Sequence, residues 1–432
     1  MTIVQITPGA GGMFCGNCFR DNALVHALRS ARHSVLMVPL YLPMTLDEED
    51  ESAGTPIFFG GVNVYLQQKS GLFRHLPKRV HQWLSSPQVL RWASGRAAKT
   101  RAADVGELTI SMMRGEQGQQ AAELEQLIAW LKERERPEVV CLSNGLLIGM
   151  VRRLHRDLGT RIVCMLQGED TFLDSLPEEM RGRAWSLLSE RAREVDLFIA
   201  PSNYYAERMR ERLGIPGDKM RVVYNGINLD GYKHRATPPG PPAIGFFARM
   251  CREKGLDSLV EAYLILRERN RIPRLGLKVG GGCGPADEPF VTELQKKLEA
   301  AGVMDDVQFR PNLSRQAKQD FLRSLSVFSV PALYGEAFGL YLLEAWACGV
   351  PVVQPRVAAF PELIEQTGGG LVYDSPNPEA LADALEELLL NPIKAQKLGQ
   401  AGHEAVTRDF SMERMAERVL HVYEELLPTA AS

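Results

Sequence analysis

The apolar positions of this chain fall into short β-branched runs separated by longer stretches of helical period. The first run is Ile3-Val4-Gln5-Ile6, followed by a glycine-rich turn and a helix over roughly residues 20–31. Ser34–Val38 reads as the next strand, and the pattern returns at 138–142, 161–165, 197–200 and 221–224. Short apolar strands alternating with amphipathic stretches predict βαβ units and a parallel, doubly wound sheet. Residues Ala236 to Pro242 then hold four prolines in seven positions, which reads as a linker. Beyond it the alternation restarts, with strands at 243–247, 275–279, 307–309, 326–330 and 351–353. The expected division is an N-terminal α/β domain over 1–236, a C-terminal one over 237–410, and a closing segment, 411–432. That segment carries a helix over about 411–427 with Ser411 as its N-cap.

Residues 44–105 break the alternation and read as an insertion in the first domain. Between Ser52 and Ala103 there is no acidic residue, yet Lys69, Arg74, Lys78, Arg79, Arg91, Arg96, Lys99 and Arg101 are present, with Phe73, Trp83 and Trp92 among them. The plainer reading is a solvated basic face with aromatics packed on the domain. The alternative is peripheral contact of 69–101 with an anionic membrane surface.

Composition narrows the classes. The chain has 432 residues, 45% of them apolar, enough for two or three cores. Its 50 basic and 53 acidic residues nearly cancel, which argues against nucleic acid as a partner. No run of 18 apolar residues occurs, the N-terminus lacks the charged start of a signal peptide, and seven cysteines make no disulfide framework. The expected location is cytoplasmic, with the inner membrane face as a peripheral alternative.

Three clusters carry candidate chemistry. Pro8-Gly9-Ala10-Gly11-Gly12 follows the first strand, where glycines let a ligand approach backbone N–H groups. It is not a dinucleotide fingerprint, because Phe14 stands where the third glycine belongs and the second strand ends in Val38-Pro39 without an acid. Cys15-Gly16-Asn17-Cys18 lacks the second ligand pair of a zinc site and reads as a structural loop. In the second domain, Arg249 and Lys254-Gly255 follow a strand, where open α/β sheets bind ligands, and both cations suit phosphate. The third cluster is YGEAFGLYLLEAWACG, residues 334–349. Glu336 falls in a loop, a helix begins near Phe338–Leu340, and Glu344 sits one turn into it. Free helix N–H groups bind phosphate, and a carboxylate accepts two hydroxyls of a ribose or sugar diol. Taken singly, these residues also read as a capping acid and surface ions. Together they fit a nucleotide diphosphate sugar.

The series Glu336-x7-Glu344, preceded by Arg249 and Lys254-Gly255, resembles the retaining glycosyltransferases of family 4, whose fold is GT-B. The resemblance covers nearly all of the chain outside 44–105. It extends to Gly11-Gly12, Pro201-Ser202, Asn225-Gly226-Ile227, Gly280 to Pro285, and Phe410-Ser411. It implies two Rossmann-like, doubly wound parallel-sheet domains facing across a cleft, with the tail helix crossing back to the first domain. The implied activity is metal-independent transfer of a hexose-type sugar from a UDP- or GDP-linked donor to a sugar, glycan or lipid acceptor. No bound cofactor is implied. By the same resemblance Arg249 and Lys254 neutralise the diphosphate, Glu344 holds the ribose and Glu336 the donor sugar. Backbone at Phe338, Gly339 and Leu340 meets donor oxygens, as does Gly12 with Gly11, and Asn225 belongs to the same site. Base recognition is expected from the chain near Gln308–Asn312, including Arg310.

There are departures from the family pattern. Where members carry His-Gly-Glu-Asp, this chain has Gln167-Gly168-Glu169-Asp170. Gln167 can hydrogen-bond a hydroxyl but takes no proton, so Gln167 and Asp170 are the expected catalytic contacts from the first domain. Arg20 and Asp21 are placed to reach an acceptor. Residues 54–68 resemble glycogen and starch synthases faintly, but Gly9 stands where those carry Lys. The rivals are a phosphorylase-like or sucrose-synthase-like enzyme on the same fold, and a sugar-nucleotide-binding protein without catalysis. For 69–101, the solvated-face reading expects no salt-sensitive co-sedimentation with anionic liposomes; salt-sensitive binding would instead establish the membrane alternative.

Overall fold

The computed structural model describes residues 1–9, 16–44, 46, 48–59, 102–134, 136–235, 240–332, 334–374 and 377–427, without the side chains of 102–105. Most of the basic insertion, residues 236–239 of the proline linker, and Gly11, Gly12 and Cys15 lie outside the described residues. The described chain forms two compact units. One holds Met1–Tyr224 together with the chain from Met415 onward; the other is Asn225–Arg414.

The first unit is built on six parallel strands: β1 (Thr2–Thr7), β2 (Ser34–Pro39), β3 (Val139–Leu142), β4 (Arg161–Met165), β5 (Leu197–Ala200) and β6 (Met220–Val222). Their spatial order is β2-β1-β3-β4-β5-β6. Nearly continuous burial along β1, β3 and β5 explains why they read as unbroken apolar runs, since helices cover both sheet faces. The first helix, Gly16–Ser30, starts four residues before its expected place. The start of the insertion packs on this unit: the Phe59 N–H donates to Leu40 O at 2.9 Å, and Phe59 is buried. The helix Met412–Leu426 begins where expected, with the Arg414 N–H donating to Ser411 Oγ at 3.3 Å. Its Tyr423 is buried in the first unit.

The second unit has β7 (Ala243–Phe247), β8 (Gly276–Gly281), β9 (Val307–Pro311), β10 (Val327–Phe328), β11 (Val352–Pro355) and β12 (Gly370–Tyr373), again all parallel. Their order is β12-β11-β10-β7-β8-β9. Counted from β7, this is the 3-2-1-4-5-6 arrangement of a Rossmann sheet, and the order reverses between β7 and β10. At such a switch point the loops after the two strands diverge and leave a crevice at the carboxyl edge. The strand missing from the sequence reading is β12. Glycines at 368, 369 and 370 depress its strand signal, yet Gly370 lies so close to Val352 of β11 that a Cβ there would collide with the Val352 carbonyl. Among the described residues no helix is long and apolar enough to cross a membrane.

Candidate functional site

The switch point of the second unit gathers Arg249, Lys254, Glu336, Gly339, Leu340 and Glu344. After β7 the chain runs through Arg249 into a single turn, Arg252–Lys254, and then into the helix Leu256–Arg269. Gly255 joins the two at φ 72°, and a Cβ there would strike the Pro331 carbonyl in the loop after β10. The absent side chain therefore lets the Lys254 loop lie directly on the Glu336 loop. Across that contact the Lys254 ammonium pairs with Glu336 Oε2. Both side chains are half-buried, at 29% and 18% exposure, so the pair is only partly screened by water.

The helix that follows is Leu340–Ala347, capped by Gly339 at φ 95°. That conformation is open to glycine and strained for other residues. It turns the chain so that Tyr341 points back at Glu336, with its hydroxyl donating to Oε2 at 3.0 Å. The Lys254 ammonium lies 5.6 Å from the Tyr341 ring centre. Burial, and then the Glu336 charge, hold the Tyr341 phenol well above its ordinary pKa, so it remains a donor. Oε1 of Glu336 has no partner among the described residues.

Glu344, one turn further along, repeats the arrangement. Its Oε1 accepts from the Tyr232 hydroxyl at 3.0 Å and pairs with Lys318 at 2.7 Å, and its Oε2 has no partner among the described residues. Lys318 comes from the helix Arg315–Arg323. Burial and the charge of Glu344 likewise keep Tyr232 protonated. Each carboxylate is thus gripped through one oxygen by a lysine and a tyrosine, and its other oxygen is left over.

Arg249 is 62% exposed and reaches Asp287, which is nearly buried, by Nε at 3.0 and 3.1 Å and by Nη2 at 2.8 Å. Asp287 also accepts the Gly284 N–H at 3.1 Å, which ties Arg249 to the glycine-rich turn after β8. This hydrogen-bonded carboxylate raises the Arg249 pKa and keeps the guanidinium charged. The Asn312 side chain closes the same turn through the N–H and carbonyl of Cys283, at 3.1 and 3.0 Å.

Residues 233–405 match the family model Glycosyl transferases group 1, and residues 59–230 match Glycosyltransferase Family 4. The chain belongs to glycosyltransferase family 4. The D-inositol 3-phosphate glycosyltransferase of Nocardiopsis dassonvillei is 30% identical to it over 246 residues, 54% of this chain and 56% of that protein. A GDP-mannose-dependent alpha-(1-6)-phosphatidylinositol monomannoside mannosyltransferase of Mycobacterium tuberculosis is 26% identical over 276 residues, 60% of this chain and 68% of that protein. The chain spans about half the length of most of the curated relatives it matches. Sucrose-phosphate synthase from Thermosynechococcus elongatus shares the fold with a TM-score of 0.72 at 18% identity, covering 98% of each chain. The two parallel sheets are those of the GT-B fold expected from the sequence.

Not every expected residue of this family 4 chain joins the cluster. Gln308 is the second residue of β9, paired in register with Lys278, about 10 Å before the carboxyl edge. Arg310 lies nearer that edge, opposite Gly280, and is exposed. The Phe338 side chain is buried, 6.5 Å from the Phe410 ring, so only its backbone faces outward chemistry. Asn225 is also buried, with its Oδ1 unpartnered among the described residues, and the neighbouring Ile227 exchanges backbone bonds with Phe410 and Met412 at 3.0 Å.

In the first unit, Gln167 follows β4 half-exposed, and its side-chain amide has no partner among the described residues. Asp170 differs from expectation. It is 1% exposed, ion-paired with Arg208 and 3.0 Å from the Tyr205 hydroxyl, so its carboxylate is held by protein groups. Glu169 beside it accepts the Gly145 and Gln167 N–H groups at 2.7 and 2.8 Å. Burial nevertheless raises its pKa, which fits a site where one tyrosine hydroxyl lies 3.0 Å from two carboxylates. Arg20 and Asp21 also depart from expectation: both are buried, bonded to each other and to Ser143, with Asp21 further accepting from Thr7.

Sequence reasoning missed Tyr232, Asp287, Lys318 and Tyr341. Asp287 reads as the cap of the helix Glu288–Ala300, and the others carry no motif. Asp170→Asn is expected to destabilise the protein by about 2 kcal/mol, because it strips a charged acceptor from Arg208 and Tyr205. Denaturant unfolding checks this, and parent-like stability would remove the structural assignment.

Proposed function

We propose that this chain transfers a hexose-type sugar from a UDP- or GDP-linked donor to a sugar, glycan or lipid acceptor, with retention and without a bound metal. The observation that carries the reading is the pair of one-sided carboxylates at the switch point. Glu344 offers Oε2 to the ribose diol, and Glu336 offers Oε1 to a hydroxyl of the donor sugar. Arg249 and Lys254 supply two positive charges for the diphosphate, and the N-terminus of the helix Leu340–Ala347 adds the partial charge of its N–H groups. Gly339 keeps side-chain atoms away from that approach.

Charge stabilisation is the main demand of the reaction, since the diphosphate gains negative charge as the glycosidic bond breaks. Arg249 rests on Asp287 and Lys254 on Glu336, and these pairs hold both cations where donor phosphates would meet them. Retention follows from attack on the same face as the departing diphosphate, whose oxygen accepts the proton of the incoming hydroxyl. Gln167 would orient a hydroxyl through its amide and takes no proton. The mannosyltransferase relative, named for GDP-mannose and a phosphatidylinositol monomannoside, supports a nucleotide donor and a glycolipid-type acceptor.

Incubation with a panel of UDP- and GDP-sugars, following nucleotide release, tests the reading. Acceptor-dependent release is expected, and Lys254→Ala and Glu336→Ala should each cost on the order of 3 kcal/mol in the barrier, about a hundredfold in turnover, with the fold retained. Near-parent rates in both variants would overturn the assignment. Release that requires inorganic phosphate would instead mark a phosphorylase, and tight binding without turnover a binding protein.

A further inference from the structure

Two donors meet at one carboxylate oxygen in the second unit, and one of them has no role in the reading above. Glu336 Oε2 accepts from both the Lys254 ammonium and the Tyr341 hydroxyl, the latter at 3.0 Å. A lysine ammonium carries three N–H donors on a flexible stem and, with nothing else to fix the carboxylate, can settle across both oxygens. The Tyr341 hydroxyl has one proton and a direction set by a rigid ring. That ring is itself held: its centre lies 6.2 Å from the Phe328 ring on β10, and it stands close enough to Gly339 that a Cβ there would lie 3.4 Å from its Cζ. The face of the same ring lies under the ammonium, 5.6 Å from Nζ.

We propose that Tyr341 is a positioning residue that fixes the Lys254–Glu336 pair through one carboxylate oxygen and so reserves Oε1 of Glu336 for a ligand hydroxyl. The identity of that hydroxyl rests on the transfer reading; the positioning itself does not. Tyr232 and Lys318 grip Glu344 through a single oxygen in the same way, so the arrangement occurs at both carboxylates.

Two variants separate the contributions of ring and hydroxyl. Tyr341→Phe keeps the ring under the ammonium and removes the proton donor. With a donor sugar the expected result is a fall in kcat of about tenfold or more, with affinity for UDP or GDP within about twofold of the parent. Tyr341→Val removes ring and hydroxyl together. Competitive acetylation of Lys254, read by peptide mass spectrometry without any nucleotide, should then run several-fold faster than in the parent. Parent-like kcat in Tyr341→Phe would overturn the proposal. So would unchanged Lys254 labelling in Tyr341→Val, or equal losses of nucleotide affinity and thermal stability, which mark a merely structural residue. If the parent transfers no sugar, the reading under Proposed function fails while the labelling experiment still decides the role of Tyr341.

Discussion

The ion pair between Lys254 and Glu336 joins the loop after β7 to the loop after β10, and the rest of the candidate site is arranged around it. Both loops leave the sheet at the point where strand order reverses, so without a bridge they would diverge. Gly255 permits the approach, Gly339 turns the second loop into its helix, and Tyr341 anchors the acid from the first turn of that helix. A half-buried pair of this kind contributes little net stability, because desolvation offsets attraction. Its value is geometric: it sets where a cation and a carboxylate stand before any ligand arrives, the preorganisation that electrostatic catalysis requires.

The same economy of contacts recurs at Glu344 and Arg249. Every charged side chain in the cluster has a counter-ion within the unit: Asp287 for Arg249, Glu336 for Lys254, Lys318 for Glu344. A site that is neutral by pairs avoids burying unpaired charge, and it still presents two spare carboxylate oxygens and an exposed guanidinium. A ligand with both phosphates and vicinal hydroxyls matches that remainder, whereas one with phosphates alone would leave the carboxylates idle. The proposed donor class follows from this match, and membership of family 4 agrees with it.

Much of this was legible in the chain because it depends on local pattern. Eleven of the strands announce themselves as apolar runs, and Glu336, Gly339 and Glu344 have a spacing that only a loop followed by a helix turn explains. What escaped was set by tertiary approach. β12 is hidden by its glycines, which are there because β11 passes so close. Tyr232 and Lys318 lie far from Glu344 in sequence, and Tyr341 looks like one more apolar position of a buried helix. The burial of Asp170 was not legible either: a carboxylate next to a candidate contact looks exposed in sequence, but Arg208 and Tyr205 close over it.

If the unclamped oxygens of Glu336 and Glu344 receive the donor, crystals of the chain grown with UDP-glucose or with GDP-mannose will show a donor-sugar hydroxyl on Glu336 Oε1, the ribose on Glu344 Oε2, and the diphosphate against Arg249 and Lys254, with both tyrosine contacts intact. A nucleotide sugar bound with neither carboxylate touching it, or absent from the β7–β10 switch point with both donors, would show that the two oxygens have another role.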